Sequence, residues 1–219
     1  MYFEFGHPEL LSGLTLTCPE LRDLKKNNQI AIIDDRKFLM AKSLQSHGFQ
    51  LTELGGDIRS VEQVNAYPIV ICDIKGVGKS FGSPHEGAHV LAEIRKSYPD
   101  KFLITYSGSE YDVSFNESLI SADASATKDA DVNYWVSTIE RGLRAVGDPK
   151  ERWLRFRRTL VNKGIDAYDL FKLESAFVKS IKNRKPSEMA KVAIPDEVRE
   201  IVKIFAGIAL HQIIESLNQ

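Results

Sequence analysis

Three carboxylates, one hydroxyl and one ammonium group stand at comparable points of the chain. Asp34 and Asp35 end the run QIAIIDD (29–35), and Asp73 ends YPIVICD (67–73). Ser107 ends KFLITYS (101–107), and Lys128 closes SADASATK (121–128). Carboxylates brought together repel one another, and a hard divalent cation relieves the repulsion; a set of oxygen ligands favours magnesium. A serine hydroxyl and the point charge of a lysine suit the oxygens of a phosphoryl group. Together these types could perform metal-assisted handling of phosphate.

That chemistry requires a scaffold that gathers strand ends. QIAIID is a short β-branched run that reads as a buried strand. RKFLMAKSLQSH (36–47) has helical apolar spacing and stops at Gly48, and FQLTEL (49–54) alternates as a strand does. A short helix is expected near 58–65. YPIVICD and KFLITYS are continuously apolar, as strands covered on both faces are. EGAHVLAEIRKSY (86–98) and ADVNYWVSTIERGLRAV (130–146) read as helices, with 121–128 as a fifth strand. Strands alternating with helices imply a doubly wound parallel sheet. Five units in about 120 residues match the flavodoxin-like (βα)5 order 2-1-3-4-5, whose site lies at the carboxyl ends of the strands.

The segment IVICDIKGVGKSFGSPHEGAH (69–89) offers three other chemistries, and each fails on a particular residue. A phosphate-binding G-x-x-x-x-G-K-[ST] loop would need glycine where Asp73 stands, and a carboxylate there repels phosphate. HEGAH matches H-E-x-x-H, but Pro84 precedes it and Gly87 lies inside it. His85 and His89 therefore fall at a fraying helix start, where a zinc peptidase would need mid-helix positions. DIKGVG resembles the nucleophile loop of haloacid-dehalogenase-type phosphatases, yet Lys75 occupies the general-acid position. The acidic pair Asp34-Asp35 also comes early in the chain, whereas that family places its pair late.

Over residues 28–146 the chain resembles a response-regulator receiver (CheY-like) domain. The resemblance is carried by Asp34-Asp35 in IIDD, Asp73 in IVICD, Ser107-Gly108 in ITYSGS, Lys128 in SATKD and the Glu86-Gly87 step. It implies a two-component phosphorylation switch in which Asp73 is the phosphoacceptor for a histidine kinase or histidine phosphotransfer protein of a phosphorelay. Asp34, Asp35, Asp73 and the backbone carbonyl of Lys75 would hold Mg2+. Ser107 and Lys128 would bind the new phosphoryl oxygens and draw the 107–112 loop inward. No enzyme activity is implied beyond self-phosphotransfer and autodephosphorylation. The alternatives are a receiver-like scaffold that is never phosphorylated, a nucleic-acid-binding adaptor and, less favoured, a haloacid-dehalogenase-type phosphatase. Three departures bear on the output surface. The loop from Asp73 to Glu86 is long and has no proline soon after the acceptor, Asp129 replaces the usual proline after Lys128, and Ser125 stands where an aromatic switch residue is common.

The expected domains are an N-terminal extension (1–27), the receiver-like domain (28–147) and a helical domain (148–219). The extension carries Phe3, Phe5, Leu11 and Leu14 as packing residues. Residues 150–185 hold eleven Lys/Arg and four Asp/Glu, read as a solvated basic face, with nucleic acid the less favoured partner. Val198, Ile201, Val202, Phe205, Ile208, Ala209, Ile213 and Leu217 recur at helical spacing. This stripe needs cover from the rest of the tail, the N-terminal extension or another subunit; a tail of about 70 residues buries only a modest core alone, so something larger is expected, a homodimer being the simplest supply. The net charge of −1 gives no whole-chain attraction to nucleic acid or membrane. Cys18 and Cys72 have no pairing or metal-ligand spacing, no signal peptide is visible, and no apolar run suits a membrane helix. The expected compartment is the cytoplasm.

Overall fold

The computed structural model describes residues 9–16, 19–108 and 121–217. The chain divides into two compact units. One is Pro19–Asp148; the other runs from Pro149 onward and includes the described residues 9–16. The N-terminal segment is thus shared: α1 (Leu21–Asn27) belongs to the first unit and residues 9–16 to the second.

In the first unit five parallel strands form one sheet in the order 2-1-3-4-5. They are β1 (Gln29–Ile33), β2 (Gln50–Glu53), β3 (Ile69–Asp73), β4 (Phe102–Ser107) and β5 (Ala124–Thr127). Every residue of β3 and β4 is buried, as expected of central strands covered on both faces. One face presents Ile30, Ile32, Ile69, Ile71, Ile104 and Tyr106 to Leu44 of α2 (Ala41–Ser46) and to Trp135, Ile139 and Leu143 of α4 (Val132–Gly147). The alternate residues Ala31, Ile33, Val70, Cys72 and Leu103 are buried too, on the side of α3 (Glu86–Ser97). The register pairs Ile33 with Cys72, Asp73 with Tyr106, and Ser107 with Thr127, so the residues that end the strands stand level along one edge.

Two elements differ from the sequence expectation. The helix foreseen over 36–47 begins only at Ala41, because Asp34 Oδ1 accepts the Arg36 N–H at 2.8 Å and bends the chain into a turn. The helix foreseen near 58–65 is a single 3-10 turn, Val61–Val64, capped reciprocally by Ser60 and Gln63.

The second unit is all helical: α5 (Pro149–Asn162), α6 (Ala167–Asn183), α7 (Ser187–Ala190), α8 (Asp196–Ile204) and α9 (Leu210–Ser216). A π-helical turn, Phe205–Ala209, joins α8 to α9 without a break. Phe205 stacks on Phe156 at 4.0 Å between centroids, and Trp153 stacks on Phe177 at 4.9 Å. Val198, Ile201, Val202, Phe205, Ala209 and Ile213 are all buried in this cluster with Leu14, Leu160 and Leu173. Of the covers open to the stripe, the rest of the tail and the N-terminal segment supply this one, while Ile208 and Leu217 stay partly buried. The long helices α5 and α6, together with Leu14 of residues 9–16, supply that cover. Phe3, Phe5 and Cys18 lie outside the described residues.

Candidate functional site

Asp34 follows β1 directly, Asp73 is the last residue of β3, Ser107 the last of β4, and Lys128 follows β5. The sheet brings the acids together: one carboxylate oxygen each from Asp34, Asp35 and Asp73 lies within 4.8 Å of the others. Asp34 and Asp73 are buried and Asp35 is exposed. Three carboxylates face one ammonium, that of Lys128, whose Nζ lies 2.6 Å from Asp73 Oδ2. Negative charge is in excess, and all the donors are oxygen. This is the donor chemistry of a hard cation such as Mg2+, which keeps several waters among its ligands and tolerates carboxylates set slightly wide.

Each carboxylate is oriented by backbone. Asp73 Oδ1 accepts the N–H of Ile74 at 2.7 Å and of Lys75 at 3.3 Å. Asp34 uses Oδ1 for the Arg36 N–H, and its Oδ2 accepts the hydroxyl proton of Tyr106. Burial, then the hydrogen bond to Asp34, pushes the Tyr106 phenol far above its ordinary range, so it acts only as a donor. Burial likewise raises the Cys72 thiol, with Asp73 and Asp34 adding to the effect, and Cys72 is no nucleophile here. Tyr106 is the site residue the sequence reading missed. The signal was available in the strand register, where Tyr106 is the β4 partner of Asp73.

The long loop after Asp73 packs tightly. Gly76 takes φ +80°, and a Cβ there would lie 2.5 Å from Asp35 Oδ2, so only glycine lets the backbone approach this carboxylate. The Gly76 N–H donates to Glu86 Oε2 at 2.8 Å, while Glu86 holds φ +47°. That conformation is uncommon for a side-chain-bearing residue and sits where the carboxylate closes the loop. The Gly78 N–H donates to the Gly56 carbonyl at 2.7 Å, and the Ser80 N–H to Asp57 Oδ1 at 2.9 Å. The Ser80 N–H, and after it the Ser80 hydroxyl, hold the Asp57 carboxyl below the usual range.

The Lys128 N–H donates to the Ser107 carbonyl at 2.8 Å, which extends the β4–β5 ladder by one residue and fixes Lys128 without a following proline. Asp129 takes a hydrogen bond from Thr127, which holds its carboxyl below the usual range. Ser107 is buried, with its Oγ donating to the Gly108 carbonyl at 3.1 Å. The 107–112 loop lies outside the described residues beyond Gly108. His85 precedes α3 and His89 lies in its first turn, where its ring meets Phe81 edge-on at 5.9 Å. Among the described residues, the one group of acids, histidines and cysteines that could hold a metal is Asp34, Asp35 and Asp73. No helix among them is long and apolar enough to cross a membrane.

No family model matches the chain, and no curated protein matches it. Its fold is similar to solved structures of response regulators. A response regulator receiver domain protein (CheY-like) from Methanospirillum hungatei is 20% identical with a TM-score of 0.41, over 53% of this chain and 93% of that one. Full-length FixJ from B. japonicum is 16% identical with a TM-score of 0.46, over 83% and 98%. A response regulator from Burkholderia pseudomallei, solved with a phosphorylated aspartic acid and a calcium ion, is 14% identical with a TM-score of 0.42, over 75% and 91%. At these identities and scores the weight rests on topology and site. The chain is a doubly wound α/β sheet of order 2-1-3-4-5 followed by an all-helical region, the architecture that the receiver resemblance implies.

Proposed function

We propose that the sheet unit is a phosphoaccepting receiver whose acceptor is Asp73. The observation that carries the reading is the convergence of Asp34, Asp35 and Asp73 within 4.8 Å, with Lys128 on Asp73. An Asp73 carboxylate oxygen attacks the phosphorus of a phosphohistidine on a histidine kinase or phosphotransfer protein. The O–P bond forms as the N–P bond breaks, and the imidazole nitrogen leaves with the electron pair. Asp34, Asp35, Asp73 and the Lys75 carbonyl would hold Mg2+, which would screen the charge of donor and acceptor. Two backbone N–H groups orient Asp73 beforehand, so positioning and electrostatics supply most of the catalysis. Lys128 and Ser107 then receive the phosphoryl oxygens. Beryllofluoride with Mg2+ should shift amide resonances around Asp73, Ser107 and Lys128 and leave the Asp73→Asn protein unchanged. An identical response in Asp73→Asn would give the site to the unphosphorylated scaffold reading.

Output would pass through protein contacts of the helical unit, either with a second copy or with another protein. Leu154, Val161, Tyr168 and Phe171 are exposed apolar side chains there. The nucleic-acid alternative loses part of its basis. Arg152 is buried against Gln212, Lys172 pairs with Asp169, and Arg157 stands 3.9 Å from Glu174.

A further inference from the structure

Tyr106 stands in the acidic site, yet phosphotransfer as described gives it no part as nucleophile, cation ligand or phosphoryl contact. It pairs with Asp73 across the β3–β4 ladder and is buried. Its hydroxyl donates to Asp34 Oδ2, and the Lys128 ammonium lies over its ring, 5.5 Å from the centroid. One side chain thus touches the carboxylate that follows β1 and the ammonium that follows β5.

The ring is held on two sides. Phe38 meets it edge-on at 5.4 Å and Trp135 at 5.8 Å, and those two meet each other at 5.2 Å. All three rings are buried, so the phenol oxygen is carried on a rigid mount. Asp34 is gripped at both ends, with Oδ1 accepting the Arg36 N–H at 2.8 Å and Oδ2 accepting the phenol. A donor on each oxygen fixes the carboxylate plane, and with it the direction of the lone pairs left for a cation. With the phenol bond removed, the Arg36 N–H would remain as a pivot about which the carboxylate could turn. Asp73 is restricted in another way. Its Oδ1 already accepts two N–H groups, so Oδ2 alone is left to offer a cation.

Fixed direction matters unequally to different cations. Mg2+ demands near-ideal octahedral geometry at about 2.0–2.1 Å, whereas Ca2+ accepts six to eight oxygens in flexible arrangements at about 2.3–2.6 Å. Loss of one orienting bond therefore penalises the smaller ion more. A change in local charge alone would act alike on both, since each carries two charges.

We propose that Tyr106 is a positioning residue that gives the acidic site its preference for Mg2+ over Ca2+, by fixing the Asp34 carboxylate. This role rests on the phosphoacceptor reading of the site and adds to it the residue that selects the cation.

The test is an NMR titration of the 15N-labelled full chain with Mg2+ and, separately, Ca2+. The reporters are the Ile74 and Lys75 amides, which are bonded to Asp73. The parent should bind Mg2+ more tightly than Ca2+. Tyr106→Phe keeps the ring and its packing, and should weaken Mg2+ about tenfold or more. Its Ca2+ affinity should change less than about threefold, so the preference collapses. Val146→Ala, which trims the core in the last turn of α4, should leave both affinities as they are and excludes general loosening as the cause. Equal weakening of the two ions in Tyr106→Phe, or no weakening of either, would overturn the proposal. A parent chain that binds neither ion would overturn it together with the metal set of the phosphoacceptor reading. A parent that binds Mg2+ and is phosphorylated by acetyl phosphate, with an unchanged preference in Tyr106→Phe, would overturn the positioning role alone.

Discussion

Lys128 Nζ sits 2.6 Å from Asp73 Oδ2, and the acid is nearly inaccessible while the lysine side chain is 40% exposed. The ammonium balances one of three clustered carboxylates, and a bound cation would take up the excess. Lys128→Met should therefore lower stability without Mg2+ by about 1–3 kcal/mol, less than for a fully buried pair because water reaches the lysine. Mg2+ should then raise the melting temperature of the variant more than that of the parent, as linkage to a tighter site requires. Differential scanning fluorimetry with and without Mg2+ checks both, and equal Mg2+ effects in the two proteins would contradict the charge argument.

The approach of Gly76 to Asp35 gives a second prediction. Gly76→Ala and Gly82→Ala both force alanine to positive φ, and each should cost about 1 kcal/mol or more. Gly82 has nothing within 4 Å of an added Cβ, whereas Gly76 would press on the Asp35 carboxylate. Only Gly76→Ala should also weaken Mg2+ binding, by about tenfold or more. Calorimetric titration of the two variants distinguishes backbone strain from damage to the metal ligand.

Alkaline pH probes the buried Cys72 and Tyr106. Both are raised in the folded chain relative to unfolded values of about 8.5 for a thiol and 10 for a phenol. Their contribution to stability is complete below those values. It is lost as pH rises above them, because the unfolded chain releases the protons first. Urea unfolding should give a flat free energy from these groups up to about pH 8 and a decline beyond it. Tyr106→Phe should remove the part of the decline that begins near pH 10.

The helical unit should be stable through its own core. Phe205→Ala, which removes a ring stacked on Phe156, should cost about 3–5 kcal/mol. The loss should not depend on protein concentration, because Phe205 is buried within the chain. A denaturation midpoint that moves with concentration would point back to an interface between copies.

The strand runs were legible because a buried parallel strand leaves a short, continuous apolar signature, as IVICD and FLITY do. The site acids were legible for the same reason, since they terminate those runs. Local turn chemistry was less visible: Asp34 both joins the acidic cluster and holds the Arg36 N–H, which delays α2 to Ala41. Tyr106 escaped notice because an aromatic inside an apolar strand reads as core, and only the register sets it beside Asp73. The cover over Phe205 and its neighbours depends on how α5 and α6 pack, which helical periodicity in α8 and α9 cannot reveal.

The central claim is that Asp73 accepts a phosphoryl group. Intact-mass analysis of the full chain incubated with acetyl phosphate and Mg2+ tests it most directly. The account predicts the added mass of one phosphoryl group, labile to hydroxylamine as an acyl phosphate is, and absent both without Mg2+ and in Asp73→Asn. An unmodified chain under all these conditions, or the same added mass in Asp73→Asn, would contradict it.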